Sequence, residues 1–213
     1  MAKPGRPLCL FHEFEIGTTR IIWGETADLC PHISTYLPDN IIKEGEQKFA
    51  SQTRRDEWLS TRLLLHLAYK GHAAPPAICY QPNGRPFLQG SKKSFSITHS
   101  KGRVCIALSD KEAVGIDIER LSERPYTLRD MFVSPADLSA DANLPPEAYT
   151  ILWSAKESLF KISEVPRLTL KDIHIMPFSP MLSGGNIRAY IGRTPYTVFY
   201  RFLSSFVFTC VEE

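Results

Sequence analysis

Two acidic residues occupy alternate positions in the otherwise apolar run AVGIDIE at residues 113–119. In a β-strand, side chains two positions apart point to the same face, so Asp117 and Glu119 share one face and the branched apolar residues share the other. Acidic side chains are rarely buried unless they pair with a cation or bind a ligand. The run therefore predicts a strand with one core face and one acidic face, whose partner must come from elsewhere in the chain.

A helix predicted over residues 146–163 supplies that partner, since its apolar residues recur at helical spacing. Its polar stripe carries Glu157 and Lys161, four residues apart and in the order that favours an ion pair. If the helix packs on the strand, the carboxylates of Asp117, Glu119 and Glu157 converge beside one lysine. Three carboxylates suit Mg²⁺ or Mn²⁺, whose remaining ligands are waters and phosphate oxygens.

Other interpretations of the same residues are open at this point. Crowded carboxylates raise one another's pKa and can act as acid and base without a metal. A Glu–Lys pair on a helix is often a solvated surface pair, and two acids near a strand end often mark the point where the strand enters solvent. The residues alone therefore indicate a site without deciding its chemistry.

The remainder of the chain mixes helices and strands without a regular strand–helix–strand alternation. Short strands are predicted at 8–14 and 20–24, a helical region at 39–70 with an interruption at Gly45, and loops at 75–94. Strand-like runs follow at SFSITHS and RVCIALS and again in the last third of the chain, separated by Pro and Gly turns. This order predicts an α+β protein.

The composition of the 213-residue chain is that of an ordinary globular protein, with 43% hydrophobic and 23% charged residues. A net charge of +2 permits an anionic ligand but does not indicate nucleic acid, whose binding proteins are more basic. Five cysteines without a C-x-x-C spacing favour free thiols over a zinc site. Since no signal peptide and no apolar run of the ~20 residues of a membrane span is recognisable, we expect a cytoplasmic protein that does not enter the membrane.

Two segments taken together resemble the 4′-phosphopantetheinyl transferase superfamily. The family pattern [VI]-G-[VI]-D-x-E is matched by VGIDIE at 114–119, and [FW]-[SCT]-x-K-E-[SA]-x-x-K by WSAKESLFK at 153–161. FSITHS at 95–100 and NGRPFL at 83–88 are similar to two further family segments, and Arg62 stands where the first-half helix of the family carries an arginine. The order and length resemble the longer, surfactin-synthetase-activating type.

The resemblance implies an enzyme that transfers the phosphopantetheine arm of coenzyme A to a serine of an apo acyl or peptidyl carrier protein and releases 3′,5′-ADP. It assigns Asp117, Glu119 and Glu157 to Mg²⁺, with Mn²⁺ as an alternative, held against the coenzyme A pyrophosphate. Glu157, or a metal-held water beside it, would take the serine proton, and Lys161 would stabilise the charge on the phosphates.

The resemblance also implies the contacts to coenzyme A. Thr98 and His99 would hydrogen-bond phosphate oxygens, although a histidine near a strand end is more often structural. Arg62 would meet the 3′-phosphate through its guanidinium, unless it is only a helix-surface arginine. The adenine end would lie against the backbone of the turn formed by Gly84, Arg85 and Pro86. Such a turn also forms without a ligand.

The fold implied by the resemblance has two similar α+β lobes related by a pseudo-twofold axis, with the ligand cleft between them. Residues 1–110 would form the N-terminal lobe with the nucleotide contacts, and residues 111–213 the C-terminal lobe with the metal site and catalytic helix. We expect a monomer, because the two lobes already supply the cleft. The carrier would dock partly on 121–146, and the candidates for steering an acidic partner are Arg120, Arg124 and Arg129.

Two other functions share part of this pattern. A relative that binds coenzyme A or a carrier without catalysis would have been free to lose its metal ligands, and all three are present. A Mg²⁺-dependent phosphohydrolase would use the same carboxylates but has no need for FSITHS and NGRPFL together. The chain departs from the family after Lys161, where ISEVPRLTL contains no glycine, which affects the expected wall around the pantetheine arm.

Overall fold

The computed structural model describes residues 10–69, 75–137, 144–181 and 183–213. The strands within these residues are β1 (His12–Ile16), β2 (Thr19–Glu25), β3 (Ile78–Tyr80), β4 (Pro86–Leu88), β5 (Ser94–Ser100), β6 (Arg103–Ser109), β7 (Val114–Arg120), β8 (Ile173–Ile175), β9 (Gly185–Ile191), β10 (Thr194–Leu203) and β11 (Phe206–Glu212). The α-helices are α1 (Thr26–Leu29), α2 (Ile33–Tyr36), α3 (Asp39–Lys48), α4 (Gln52–Ala68), α5 (Arg124–Thr127), α6 (Arg129–Phe132) and α7 (Pro146–Ile162). Single 3₁₀ turns lie at Cys30–His32, Pro135–Asp137 and Leu170–Asp172.

The described strands form two larger antiparallel sheets and one small hairpin. The first sheet has the order β1-β2-β6-β5, the second has the order β7-β11-β10-β9-β8, and β3 pairs with β4. The first sheet therefore ends at Ser109 and the second begins at Val114, so the lobe boundary predicted at residues 110/111 lies in the connection between β6 and β7. The division into separate domains stays a prediction.

The two larger sheets pack on each other and lie between two long helices. One face of the first sheet, with Ile22 and Ile106, packs against α4. The opposite face, with Ile21 and Cys105, packs against β7 and β11 of the second sheet, and α7 covers the outer face of the second sheet. Because β2 and β6 serve two cores, both of their faces are apolar, as in strands buried on both sides.

Each half thus combines one sheet with one helix of 17 residues on its outer face. Helices and antiparallel strands alternate irregularly along the chain, which confirms the α+β class predicted from sequence. The similar make-up of the halves agrees with the expected two-lobed arrangement. The acidic strand β7 lies where the halves meet, because it packs on β11, α7 and β5.

The helical region predicted at 39–70 is two helices, and the predicted interruption at Gly45 is wrong. Gly45 lies inside α3, where a Cβ would approach Trp58 and Leu59 to 3.2 Å, so this glycine permits close packing of α3 on α4. The break comes at residues 49–51 instead. The strand predicted at 8–14 begins at His12, and residues 1–9 and 70–74 lie outside the described part of the chain.

The cysteines that the structure describes, Cys30, Cys79, Cys105 and Cys210, are all free thiols. Burial raises the pKa of the Cys210 thiol to about 12, so it packs as a neutral apolar side chain. Over the same described residues, no helix has both the length and the apolar character needed to cross a bilayer.

Candidate functional site

A cavity of about 390 Å³ lies where β5, β7, α7 and the turn before β4 meet. It gathers residues from four separate stretches of the sequence, and most of the predicted site residues line it. Those residues are Gly84, Arg85, Pro86, Thr98, His99, Asp117 and Lys161. The remaining predicted residues, Arg62, Glu119 and Glu157, lie around this cavity as described below.

Asp117 is the buried centre of the site, with 5% of its surface exposed. Its Oδ1 accepts hydrogen bonds from Thr98 Oγ1 at 3.0 Å and from Lys161 Nζ at 3.0 Å. Lys161 Nζ also donates to the carbonyl oxygen of Ile116 at 2.7 Å, which leaves one of the three ammonium protons for another acceptor. Asp117 Oδ2 is buried and has no hydrogen-bond partner in the structure, so the carboxylate carries more acceptor capacity than the protein satisfies.

Glu119 lies on the same face of β7 as Asp117, as the strand period predicts. Its Oε2 accepts from Ser100 Oγ at 3.0 Å and its Oε1 from Trp153 Nε1 at 3.2 Å. Burial and then the charge of Asp117 raise the pKa of Glu119, while the bonds from Ser100 and Trp153 oppose that rise. Trp153 of WSAKESLFK and Ser100 of FSITHS therefore hold the Glu119 carboxylate. The sequence patterns did not assign this role to either residue.

Glu157 is the half-buried carboxylate that α7 contributes to the acidic group. Burial and then the charge of Asp117 raise its pKa, and Lys161 acts in the opposite direction. The charge of Asp117 thus contributes to the raised pKa of both glutamates. No three His, Cys, Asp or Glu side chains of the described residues are already arranged to hold a metal ion, so the metal set stays a prediction.

A glycine permits the close approach of α7 to β7. A Cβ at Gly115 would lie 2.1 Å from the carbonyl oxygen of Ser158, far inside van der Waals contact. The hydroxyl of Ser158 is also buried and bonds Thr209 on the neighbouring strand β11. The glycine of VGIDIE therefore lets the backbone of α7 at Ser158 come close to the acidic strand.

Strand β5 bonds to β7 through side-chain hydroxyls. Ile116 N donates to Ser96 Oγ at 3.2 Å and Ile118 N donates to Thr98 Oγ1 at 3.3 Å. Ser100 continues the series by donating to Glu119. The alternation of hydroxyl residues in SFSITHS, at strand spacing, is the sequence signal of this contact. Because the proton of the Thr98 hydroxyl is engaged by Asp117, its expected bond to phosphate stays a prediction.

His99 points away from that hydroxyl series towards α4. Its Nδ1 lies 3.3 Å from Glu57 Oε2, and Arg54 Nη1 lies 3.4 Å from its Nε2. Burial is the main effect that lowers the pKa of His99; the Glu57 carboxylate opposes it, and the charges of Arg54 and Lys161 add to it. Neither Arg54 nor Glu57 was predicted as a site residue, although both belong to the helix that carries Arg62.

Arg62 lines a second cavity of about 140 Å³ together with His99, Arg54 and Tyr80. Its guanidinium carbon lies 3.2 Å from the centroid of the Trp58 ring, and Nη1 donates to the Trp58 carbonyl oxygen at 3.2 Å. Burial lowers the pKa of Arg62, an effect opposed mainly by Tyr80. Arg62 is thus stacked on its own helix and lines the second cavity, and its role towards a phosphate stays a prediction.

A groove of about 530 Å³ has Glu119 among its lining residues. Leu121, Pro125, Leu128 and Trp153 contribute apolar surface to it, and Lys101, Arg120 and Arg124 contribute positive charge. Arg129, also predicted to steer a partner, instead packs over the ring of Tyr126 at 4.5 Å. Glu119 therefore lines this groove, while Asp117 on the same face of β7 lines the first cavity.

Comparison with known protein families gives a match over the second half of the chain. The model of the 4′-phosphopantetheinyl transferase superfamily matches residues 113–211. This range begins at the acidic strand and contains Asp117, Glu119, Glu157 and Lys161. The agreement therefore covers the part of the site that β7 and α7 supply.

Curated proteins of the same kind are similar over a larger part of the chain. The 4′-phosphopantetheinyl transferase AcpT of Salmonella typhi is 30% identical over 133 residues, which cover 59% of this chain and 65% of that protein. The match thus spans just under two thirds of that relative. Enterobactin synthase component D of Escherichia coli K12 is 29% identical over 157 residues, or 70% of this chain and 71% of that protein. The 4′-phosphopantetheinyl transferase gsp of Aneurinibacillus migulanus is 30% identical over 141 residues, or 61% and 59%.

Proposed function

Since residues 113–211 match the model of the 4′-phosphopantetheinyl transferase superfamily, we propose that the chain transfers 4′-phosphopantetheine from coenzyme A to a serine of an apo carrier protein and releases 3′,5′-ADP. The observation that carries the proposal is the position of Asp117. One of its oxygens is held by Lys161 and Thr98, while the other is buried without a partner beside a cavity lined by cationic and imidazole groups. Such a site suits a pyrophosphate bound with a cation.

The donor chemistry of the acidic group fits Mg²⁺. A carboxylate offers about four acceptor positions, so Glu119 retains capacity beyond its bonds from Ser100 and Trp153. Burial and then the charge of Asp117 raise the pKa values of both Glu119 and Glu157, and a bound cation would offset both effects. We infer that Asp117, Glu119 and Glu157 hold Mg²⁺, with Mn²⁺ as the alternative. When bound, the cation supplies charge neutralisation at the pyrophosphate.

The transfer step requires a nucleophile, a base and stabilisation of the phosphates. The serine oxygen of the carrier forms a bond to the phosphorus atom that bears the pantetheine arm, and the bond from that phosphorus to the oxygen of the 3′,5′-ADP leaving group breaks. Glu157, as a half-buried carboxylate with a raised pKa, takes the serine proton. Lys161 directs its remaining N–H to a phosphate oxygen, where its charge stabilises the transition state.

The nucleotide end of coenzyme A fits the cavities on the α4 side of this centre. His99 lines both of them, and Arg62 lies in the smaller one, where its stacked guanidinium suits the 3′-phosphate. Gly84, Arg85 and Pro86 line the larger one, where they would contact the adenine end. Arg85 is held 3.9 Å from Glu164 on the segment that follows α7.

The basic groove lined by Glu119 is the proposed place for the carrier protein. Its apolar surface and its positive residues Arg120 and Arg124 suit a folded partner with an acidic helix. A carrier seated there would place its serine beside Glu119. We further propose that the chain acts as a cytoplasmic monomer, since both halves of one chain surround the site.

The test is a mass measurement on the carrier. Apo acyl and peptidyl carrier proteins are incubated with coenzyme A, Mg²⁺ and the chain, and the carriers are weighed by mass spectrometry. The expected result is a gain of one phosphopantetheine group and the appearance of 3′,5′-ADP, both absent when EDTA replaces Mg²⁺. Tight binding of coenzyme A without a mass gain on any carrier would instead indicate a non-catalytic relative. Breakdown of coenzyme A without a carrier would indicate a phosphohydrolase.

A further inference from the structure

A buried glutamate faces the proposed nucleotide cavities. Glu57 belongs to α4, is 7% exposed, and lines the 140 Å³ cavity with His99, Arg54 and Arg62. An unpaired carboxylate repels a bound phosphate, and carboxylates are seldom buried unless they pair with another group. The contacts of Glu57 show what its charge is used for.

Glu57 Oε2 contacts two cationic or polar groups at the same distance. Arg54 Nη1 donates to it at 3.3 Å, and His99 Nδ1 lies 3.3 Å away. Arg54 Nη1 lies 3.4 Å from the other ring nitrogen of His99. Arginine only donates, so Nε2 of His99 is the acceptor in that contact, and the ring proton is assigned to Nδ1, facing Glu57.

We propose that Glu57 is a positioning residue that sets the tautomer and orientation of His99 and holds Arg54 beside it as an additional phosphate-binding group. This inference rests on the proposed function, because it concerns the phosphates of coenzyme A. Arg54, with a side chain 60% exposed, can turn from His99 Nε2 to a phosphate oxygen, while the Nδ1 contact to Glu57 keeps the imidazole in place. Since a phosphate oxygen only accepts, His99 binds it as the imidazolium, whose Nε2–H donates, and the Glu57 carboxylate beside Nδ1 favours that charged form. Glu57 itself does not touch the ligand.

A structural alternative gives different results in a test. An Arg–Glu pair three residues apart stabilises many helices without any further role. In that case the loss of Glu57 would lower stability and leave the affinity for coenzyme A unchanged. Removal of the group that positions a metal-binding histidine costs about 10–100-fold in affinity or activity, and we expect the lower end of that range for a histidine that binds phosphate.

The experiment compares Glu57→Gln with the matched control Asp56→Asn. Both remove one negative charge from adjacent positions of α4, but Asp56 accepts from the exposed Gln52 and lines neither cavity. For carrier modification we expect Glu57→Gln to raise KM for coenzyme A about tenfold or more with kcat within about twofold, and Asp56→Asn to change neither. Equal KM values for Glu57→Gln and the native chain would overturn the proposal.

A second readout is independent of catalysis. Nitrogen NMR of the His99 ring is expected to show the proton on Nδ1 in the native chain and a shift of population towards Nε2–H in Glu57→Gln. If Glu57→Gln fails to fold, Arg54→Gln removes the exposed donor instead and is expected to raise KM for coenzyme A similarly. If the native chain modifies no carrier, calorimetry with coenzyme A replaces KM. If it does not bind coenzyme A, the proposed function fails, and the tautomer of His99 alone decides whether Glu57 positions it.

Discussion

Helix α7 carries two lysines that pair with aspartates in different ways. Lys156 Nζ lies 2.6 Å from Asp137 Oδ2, and both side chains are fully buried. Lys161 Nζ lies 3.0 Å from Asp117 Oδ1, with 28% and 8% of the side chains exposed. The first pair lies on the side of α7 that faces the α6 region, and the second pair lies at the cavity.

The two pairs differ most in how completely their hydrogen bonds are made. Lys156 Nζ also donates to the carbonyl oxygens of Phe132 and Leu170, so its three protons are used. The other oxygen of Asp137 accepts from Ile175 N at 2.7 Å. Asp117, in contrast, keeps one buried oxygen without a partner. A completed pair fixes structure, whereas an incomplete pair retains capacity for a ligand.

The largest effect is expected when the completed pair of Lys156 and Asp137 is broken. Lys156→Met leaves the Asp137 charge buried without compensation and is expected to lower the free energy of unfolding by about 3–5 kcal/mol. Lys161→Met is the matched control on the same helix, with a smaller expected loss, because the Lys161 side chain is 28% exposed and Asp117 lines an open cavity. Urea unfolding of both variants measures the difference, and equal losses would contradict the distinction drawn between the pairs.

The next largest effect is expected on activity, when the incomplete pair of Lys161 and Asp117 loses its negative charge while the chain stays folded. Asp117→Asn removes the charge at the centre of the acidic group and is expected to slow carrier modification at least about 100-fold. The free energy of unfolding should change by less than about 1 kcal/mol, since an amide oxygen still accepts from Thr98 and Lys161. Rates come from the mass assay and stability from urea unfolding. A variant that keeps half of the native rate would remove Asp117 from the proposed mechanism.

A smaller effect tests the hydroxyl that supports Asp117. Thr98→Val keeps the shape of the side chain but removes the acceptor for Ile118 N and the donor to Asp117, at an expected cost of about 1–3 kcal/mol in stability. The free energy of opening measured by hydrogen exchange at the Ile118 amide should fall by the same amount, so that the amide exchanges faster. Ser100→Ala serves as control, because Glu119 keeps its bond from Trp153. Unchanged exchange at Ile118 would show that β7 does not depend on the hydroxyl of β5.

The smallest effect concerns pH. Burial raises the pKa of Glu157, so the stability that this group contributes is present below the ordinary carboxyl pKa of about 4.3 and is lost as pH rises through the higher folded value. In EDTA, Glu157→Gln should therefore be more stable than the native chain at pH 7, by up to about 1 kcal/mol, and nearly equal to it at pH 4. Urea midpoints at both pH values measure this gap. The exposed Glu147→Gln is the control, and a gap of the same size there would show that crowding at the site is not its cause.

Much of the site could be predicted from short-range patterns. The period of two in VGIDIE places Asp117 and Glu119 on one face of β7, and the spacing of four between Glu157 and Lys161 orients both towards that strand. These patterns hold because local backbone geometry dictates the direction of each side chain. The predicted position of the helix break, in contrast, was wrong, because the packing of Gly45 against Trp58 and Leu59 overrides the low helix propensity of glycine.

Other features depend on contacts between distant parts of the chain. Lys156 and Lys161 belong to one motif, and sequence spacing does not show that the first is buried against Asp137 while the second reaches Asp117. The pairing of Glu57 with His99 joins residues of α4 and β5 that share no local pattern. Only the packing of both elements brings these side chains within hydrogen-bonding distance.

The sequence by itself determined the α+β class, the acidic face of β7 and the polar stripe of α7, since each follows from the periodicity of a single element. Tertiary structure alone decided which lysine completes a buried pair, which aspartate oxygen stays unpartnered, and which carboxylate orients the histidine. The physical reason is that burial and hydrogen-bond satisfaction belong to the set of neighbours around a group, and those neighbours come from strands and helices far apart in the chain.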